Sequence, residues 1–146
     1  MTALTPYLTV ADAAAAINFY IKAFGAQEIY RLTDTDGRIG HAELRIGDSL
    51  VMLADEYPDF GALSPARLGG SPVKLHLDVE SADQSVDAAV AAGAMLVRPV
   101  QDEFHGSRSG MIVDPFGHSW FIATKVEDVS VEEMQRRMDA MASSAC

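Results

Sequence analysis

The sequence has almost no cysteine: its single thiol, Cys146, is the last of 146 residues. One cysteine cannot close an intramolecular disulfide, so the chain is not a disulfide-stabilised scaffold and does not need an oxidising compartment. A thiol at the chain end is also poorly placed for nucleophilic catalysis. The sequence lacks an apolar run long enough to span a membrane, and its first residues lack the basic and apolar regions of a secretory signal. We therefore expect a soluble cytoplasmic protein without a membrane partner.

Positive charge is also scarce, since 11 Lys and Arg face 21 Asp and Glu for a net charge of -10. An acidic surface repels phosphate backbones and anionic lipids, which argues against nucleic-acid and membrane partners. The acidic residues are spread along the chain instead of forming a tail, as expected for a solubilising surface. A hydrophobic fraction of 49% is that of an ordinary globular protein.

The sequence does contain a pattern of one strand, one helix and three strands. The alternation of apolar and polar residues over Leu4–Val10 predicts a half-buried strand. Asp12 can cap the helix that follows, and Gly25 can end it. Three strand-like segments come next: Gln27–Leu32, Arg38–Ile46 and Ser49–Ala54.

The same pattern occurs a second time. Val73–Val79 alternates, Ser81 with Gln84 forms a capping box, and the predicted helix runs to Gly93. Three more strand-like segments follow: Met95–Val100, Arg108–Val113 and Ser119–Thr124. The landmark pairs Val10 and Val79, Gly25 and Gly93, and Gly47 and Gly117 are each separated by about 70 residues, which indicates a duplicated βαβββ unit.

These patterns divide the chain into four predicted parts of one domain. Module one covers about 4–56, a proline- and glycine-rich linker or lid about 57–72, module two about 73–125, and a C-terminal helix about 126–142. The last helix carries Met134, Met138 and Met141 at helical spacing. A methionine stripe of this kind usually covers a core or a partner subunit, so we expect a homodimer.

Several motifs resemble one family closely. They are Tyr7-Leu-Thr-Val-Ala-Asp12, Asn18-Phe-Tyr20, Gly40-His-Ala-Glu-Leu44, and Asp114-Pro-Phe-Gly-His118 with Trp120. The sequence resembles the vicinal-oxygen-chelate superfamily (glyoxalase, bleomycin resistance and dioxygenase proteins), in particular its PhnB-like branch, over nearly the whole chain. The resemblance implies an α+β fold in which two tandem βαβββ modules form cup-shaped mixed sheets, with a C-terminal helix added. Each cup would hold ligand on its inner face and its helix on the outer face.

Strand parity then sorts residues between the two faces, because neighbouring side chains in a strand point to opposite sides. The predicted ligand-binding residues on the inner faces are Tyr7, His41, Glu43, Lys74 and His76. To these we add Arg108, in the loop or strand entry before the last hairpin, which could bind an anionic group or form a surface ion pair. His41 and Glu43 are the candidates for acid–base catalysis, since histidine titrates near neutral pH.

The resemblance also implies four metal-ligand positions, one on the first and last strand of each module. In this sequence they hold Thr5, Met52, Lys74 and Phe121. A protonated lysine and a phenyl ring donate no lone pair, and a thioether prefers soft metals, so no metal cofactor is predicted there. A relocated divalent-metal site made of His41, Glu43 and His76 remains an alternative.

We therefore predict a protein that binds a small molecule, or catalyses metal-independent chemistry, in a pocket without the usual metal ligands. The resemblance supports this prediction, since the sequestering resistance proteins use such a cup without chemistry. The alternative is a metal-dependent glyoxalase-like lyase or isomerase, or a dioxygenase, that uses the relocated site. A role as a scaffold has little support beyond the methionine-lined helix.

Overall fold

The computed structural model describes residues 1–144, so the terminal thiol of Cys146 lies outside the described residues. The first module consists of β1 (Tyr7–Val10), α1 (Ala13–Phe24), β2 (Gln27–Thr33), β3 (Ile39–Ile46) and β4 (Ser49–Asp55). The connecting segment contains a 3-10 turn (Pro58–Phe60) and a short helix α2 (Pro65–Leu68). The second module consists of β5 (Lys74–Asp78), α3 (Ala82–Ala91), β6 (Met95–Asp102), β7 (Ser107–Val113) and β8 (Ser119–Lys125), and α4 (Val131–Ser144) follows.

The two modules have the same sheet topology. The strand orders are β1-β4-β3-β2 and β5-β8-β7-β6. In each sheet the first strand pairs in parallel with the last, and the remaining pairs are antiparallel. The predicted α+β fold of two βαβββ modules with a C-terminal helix is therefore confirmed.

The helices begin where the sequence places a side-chain acceptor. The Asp12 carboxylate accepts from the backbone N–H of Ala15 at 3.0 Å, and the Ser81 hydroxyl accepts from that of Gln84 at 3.2 Å. Such caps satisfy N–H groups that have no partner within the helix. Helix α1 ends at Gly25, whose φ of 67° is left-handed, as expected for a terminating glycine.

A buried carboxylate joins the two modules. Asp114, in the turn between β7 and β8, is 3% exposed. It accepts hydrogen bonds from the Tyr20 hydroxyl of α1 at 2.5 Å and from the Trp120 indole N–H at 2.9 Å. Its other oxygen accepts from the backbone N–H groups of Phe116 and His118. The position of α1 is thereby tied to the second sheet, on the side away from the inner faces.

Three segments differ from the sequence predictions. Strand β1 begins at Tyr7 and not at Leu4, because the preceding Pro6 has no N–H to donate to a sheet. The C-terminal helix begins at Val131, where Ser130 caps it, and residues 126–130 form the connection to it. The segment 57–72 is partly helical, and an ion pair between Arg67 and Glu56 holds it to the end of the first module.

Within residues 1–144, no helix is both long and apolar enough to cross a membrane.

Candidate functional site

The inner faces of both sheets carry the polar residues that strand parity predicts. In β3, Ala42 and Leu44 are fully buried against the helix side, while His41 and Glu43 on the opposite face are partly exposed. In β5, the partly buried Leu77 belongs to the helix side and the exposed His76 to the other. The alternation therefore sorts these side chains as predicted.

Four side chains of the first sheet form a group that we call the first-sheet cluster: Tyr7, Tyr30, His41 and Glu43. The Tyr7 oxygen lies 2.7 Å from His41 Nδ1, and His41 Nε2 lies 3.6 Å from a Glu43 carboxylate oxygen. The Tyr30 and His41 rings are 5.7 Å apart. Three different strands thus bring two phenols, an imidazole and a carboxylate together on one open face.

Sequence reasoning missed Tyr30. Tyr30 is paired with Glu43 across the β2–β3 ladder. Pairing the residues of the two strands outward from the Asp36-Gly37 turn would have placed it opposite Glu43. The ladder, however, shifts register after Glu28 and again after Leu32. Such irregularities reassign side chains between faces, and nothing in the local sequence marks them.

Both phenols of the cluster are held in their neutral form. Desolvation raises the pKa of Tyr7 above its ordinary value. Desolvation also raises the pKa of Tyr30, and the negative charge of Glu43 raises it further. The two hydroxyls therefore remain hydrogen-bond donors throughout the neutral range.

Because the phenol pKa values are raised, we expect no tyrosine of the folded protein to ionise at the ordinary pH of a free tyrosine. All four tyrosines of the chain have raised pKa values, Tyr57 to about 12, where the Asp34 carboxylate accepts its hydroxyl proton. The tyrosines of the unfolded chain ionise at lower pH than those of the folded protein. The neutral phenols therefore stabilise the folded state in full below pH 10.0, and this stabilisation is lost as pH rises through the folded-state pKa values. Absorbance at 295 nm should show every native tyrosine titrating above the value of the denatured chain. A phenol that titrates at the ordinary value in the native protein would contradict this prediction.

The second sheet carries a different group, the second-sheet cluster: His76, Arg98, Glu103 and Phe121. The His76 ring stacks on Phe121 at 5.9 Å with 9° between the planes. The guanidinium of Arg98 lies 4.8 Å from the Phe121 ring centre and is paired with Glu103 at 2.8 Å. Arg98 was not among the sequence candidates. The predicted Lys74 is exposed and lies two residues before His76 on the same strand face.

Arg108 lies apart from the other five predicted ligand-binding residues. Its neighbours in strand β7 show that it is on the helix side of the second sheet, and its guanidinium binds Asp83 of α3 at 2.8 and 3.1 Å. A second carboxylate, that of Asp102, lies 3.2 Å away. These partners raise the pKa of Arg108 above its ordinary value. Of the two roles predicted for Arg108, an anion contact or a surface ion pair, the structure shows the ion pair.

The side chains at the family's metal positions do not fit a divalent cation. Met52 pairs with Tyr7 in the first sheet and Phe121 with His76 in the second, so neither of these two closing-strand positions offers an oxygen or nitrogen ligand. His41 and Glu43 are neighbours, but His76 belongs to the other sheet. Among the described residues no three His, Cys, Asp or Glu side chains are grouped to hold a metal ion. One chain alone therefore does not assemble the relocated set.

Two cavities lie beside the sheets: the smaller borders the inner face of the first sheet, and the larger is lined mainly by helix-side residues and by none of the first-sheet cluster. One of about 200 Å³ lies beside Tyr7 and Thr9 and is closed on its other side by linker residues, including Leu63 and Leu68. A larger one of about 370 Å³ lies at the joint between the sheets; its apolar wall includes Leu4, Leu75 and Trp120, and its polar rim His76 and Asp48. Small-molecule sites in proteins are typically about 300–1,000 Å³. The larger cavity reaches this range within one chain.

Comparison with known proteins identifies relatives over most of the chain. Residues 2–122 match the model of the Glyoxalase/Bleomycin resistance protein/Dioxygenase superfamily. An uncharacterized protein of Mycobacterium bovis is 43% identical over 141 residues, which cover 94% of this chain and 93% of that protein. An uncharacterized protein of Arabidopsis thaliana is 32% identical over 129 residues, 82% of this chain and 76% of that protein.

Solved structures show the same fold. The Arabidopsis protein superposes with a TM-score of 0.68 and 30% identity, covering 84% of this chain and 98% of that one. The PhnB protein of Bacillus cereus superposes with a TM-score of 0.65 over 84% of this chain and 99% of that one. At 18% identity the latter likeness concerns the fold alone.

Proposed function

The chain belongs to the Glyoxalase/Bleomycin resistance protein/Dioxygenase superfamily, and on that premise we propose that it binds a small organic molecule on its inner sheet faces without a metal at the family's usual positions. The observation that carries the proposal is the first-sheet cluster. An open sheet face that faced only solvent would not need an imidazole held between a phenol and a carboxylate. Tyr7 of this cluster lines the cavity of about 200 Å³, whose opposite wall includes Leu63 and Leu68. Convergent polar groups beside apolar walls are the usual composition of a ligand site.

The cluster can bind a polar group and can also move a proton. When His41 carries its proton on Nε2, toward Glu43, its Nδ1 can accept the hydroxyl proton of Tyr7. The Nε2–H group then points toward the Glu43 carboxylate, 3.6 Å away. We propose these residues as the acid–base candidates of any reaction at this site.

The test is a thermal-shift screen of small organic molecules against the full chain. A compound at a hundred times its Kd stabilises the folded state by about 2.7 kcal/mol, which is readily measured. For compounds that bind the first-sheet cluster, we expect Tyr7→Phe and His41→Gln each to weaken affinity about tenfold, because each removes a hydrogen bond from the ligand site.

The matched control is Tyr57→Phe, which also removes a phenol hydroxyl but in the linker, where its partner is Asp34. This control should leave ligand affinity unchanged. If every stabilising compound bound Tyr7→Phe, His41→Gln and the parent chain equally well, the first-sheet cluster would not be the ligand site.

We further propose that the protein is a PhnB-like, cytoplasmic homodimer. The sequence motifs support the branch, and exposed apolar side chains support self-association: Leu32 is 60% exposed and Met95 64%. Both lie on the outermost strands of their sheets, and exposed apolar patches of this kind mark interaction surfaces. Sedimentation equilibrium checks this proposal, and a monomeric mass at micromolar concentration would refute it.

A further inference from the structure

The guanidinium of Arg98 is held in one place on the inner face of the second sheet. Strand β6 pairs Arg98 with Met111 of β7, which is in turn paired with Phe121 of β8. One terminal nitrogen, Nη2, forms an ion pair with Glu103 at 2.8 Å and donates a hydrogen bond to the Ser109 hydroxyl at 3.4 Å. Ser109 is fully buried and itself donates to Glu103 at 3.1 Å. The side chain is therefore positioned before any ligand arrives.

Part of the donor capacity of Arg98 is unused. A guanidinium has five N–H groups in a planar fork, and the hydrogen bonds above use only those of Nη2. Nε is buried without a hydrogen-bond partner among residues 1–144. Buried donors without partners are rare in folded proteins, so Arg98 has donor capacity that the described residues leave unused.

The surroundings of Arg98 suit a flat apolar group that carries a negative charge. Phe121 lies under the guanidinium, and the His76 ring of the neighbouring strand is stacked with it on the same sheet face, so aromatic rings border Arg98. The Arg98 side chain is 35% exposed, so a molecule from solvent can reach it. Two further charges belong to this face: the exposed Lys74, and Asp78, which is 3.0 Å from His76.

We infer that Arg98 is the anion-recognising residue of the ligand site, and that the ligand is a small planar organic oxyanion whose flat body lies against Phe121. The inference rests on the proposed function and specifies the chemical class of its ligand. Guanidinium binds carboxylate or phosphate oxygens through directed N–H groups, and aromatic surfaces favour flat apolar bodies.

The test uses three probes with the full chain: benzoate, its neutral analogue benzamide, and inorganic phosphate, which has no flat body. Binding is followed by the side-chain Nε–H resonances of arginine in nitrogen-proton correlation spectra. Benzoate should shift the Arg98 Nε–H resonance and bind at least tenfold more tightly than benzamide or phosphate.

Three variants locate the effect. Arg98→Met keeps the length of the side chain without its charge, and it should weaken benzoate binding about tenfold while leaving benzamide binding as it is. Arg98→Lys keeps the charge and should retain the preference for benzoate. Arg31→Met is the matched control, because Arg31 also lies on an outer strand and also pairs with a glutamate, Glu28, at 2.5 Å.

The outcomes separate this inference from the proposed function. Equal binding of benzoate and benzamide, undiminished benzoate binding in a folded Arg98→Met, or no binding of either probe would overturn the role of Arg98. Phosphate binding as tight as benzoate binding would contradict the inference that the ligand has a flat body. The screen with Tyr7→Phe would still decide whether the inner faces bind neutral molecules. If Arg98→Met does not fold, the Nε–H shift in the parent chain decides the question.

Discussion

Replacing Asp114 by alanine should lower the free energy of unfolding by about 4 kcal/mol, because it leaves several buried donors without an acceptor. The carboxylate accepts from the Tyr20 hydroxyl and the Trp120 indole, and from two backbone N–H groups in its own turn. Hydrogen bonds to a charged acceptor are among the stronger ones, and water cannot replace them at a site that is 3% exposed. Since Tyr20 belongs to the first module, the substitution also loosens the joint between the modules.

Chemical denaturation monitored by Trp120 fluorescence measures this loss, and the thermal midpoint should fall by about 10 °C. Tyr20→Phe removes one of the donors together with its need for an acceptor, so its loss should be clearly smaller. Asp128→Ala is the control, since that carboxylate is 91% exposed and pairs with the exposed Lys125; we expect no measurable change. An Asp114→Ala variant as stable as this control would mean that the carboxylate does not hold the modules together.

Replacing Gly106 by alanine should also cost about 4 kcal/mol, for two reasons that add. Its φ of +97° is unfavourable for a residue with a side chain, and an added Cβ would lie 2.4 Å from the carbonyl oxygen of Glu127. That carbonyl cannot move freely, because the N–H groups of Val126 and Glu127 both donate to the Gly106 oxygen. The substitution therefore displaces the segment that leads from β8 to α4.

Gly37→Ala separates the two reasons. Gly37 has a φ of +90°, but nothing lies within 4 Å of an added Cβ. This control should lose about 1 kcal/mol from backbone strain alone. Hydrogen exchange should show reduced protection of the Val126 and Glu127 amides in Gly106→Ala and normal protection in Gly37→Ala. Equal losses of stability in the two variants would rule out the steric contact as the cause.

The two stability predictions concern the frame that carries the inner faces. Asp114 sets how the first helix lies against the second sheet, and Gly106 sets how the chain leaves that sheet toward α4. Neither residue belongs to the first-sheet cluster or the second-sheet cluster. Ligand binding in these variants should therefore weaken only as far as the folded state is lost.

The sequence by itself determined the features that depend on near neighbours in the chain. Asp12 and Ser81 start helices because each side chain can reach an N–H group three residues ahead. The inner and outer faces of β3 and β5 follow from the alternation of side chains along a strand. The repeat near 70 residues then predicts that both modules have one topology, which the strand orders confirm.

Only the tertiary structure decided which side chains meet. The Arg98–Phe121 contact spans two strand pairings, and irregularities in the β6–β7 ladder on both sides of Arg98 make its register unreadable from sequence. His41 and His76 have the right chemistry for a shared metal, yet they lie on different sheets. Arg108 pairs with Asp83 on the helix side, and the two residues are 25 positions apart in the sequence. The reason is physical: periodicity and capping act over a few residues, whereas register, bulges and packing are settled by the whole fold.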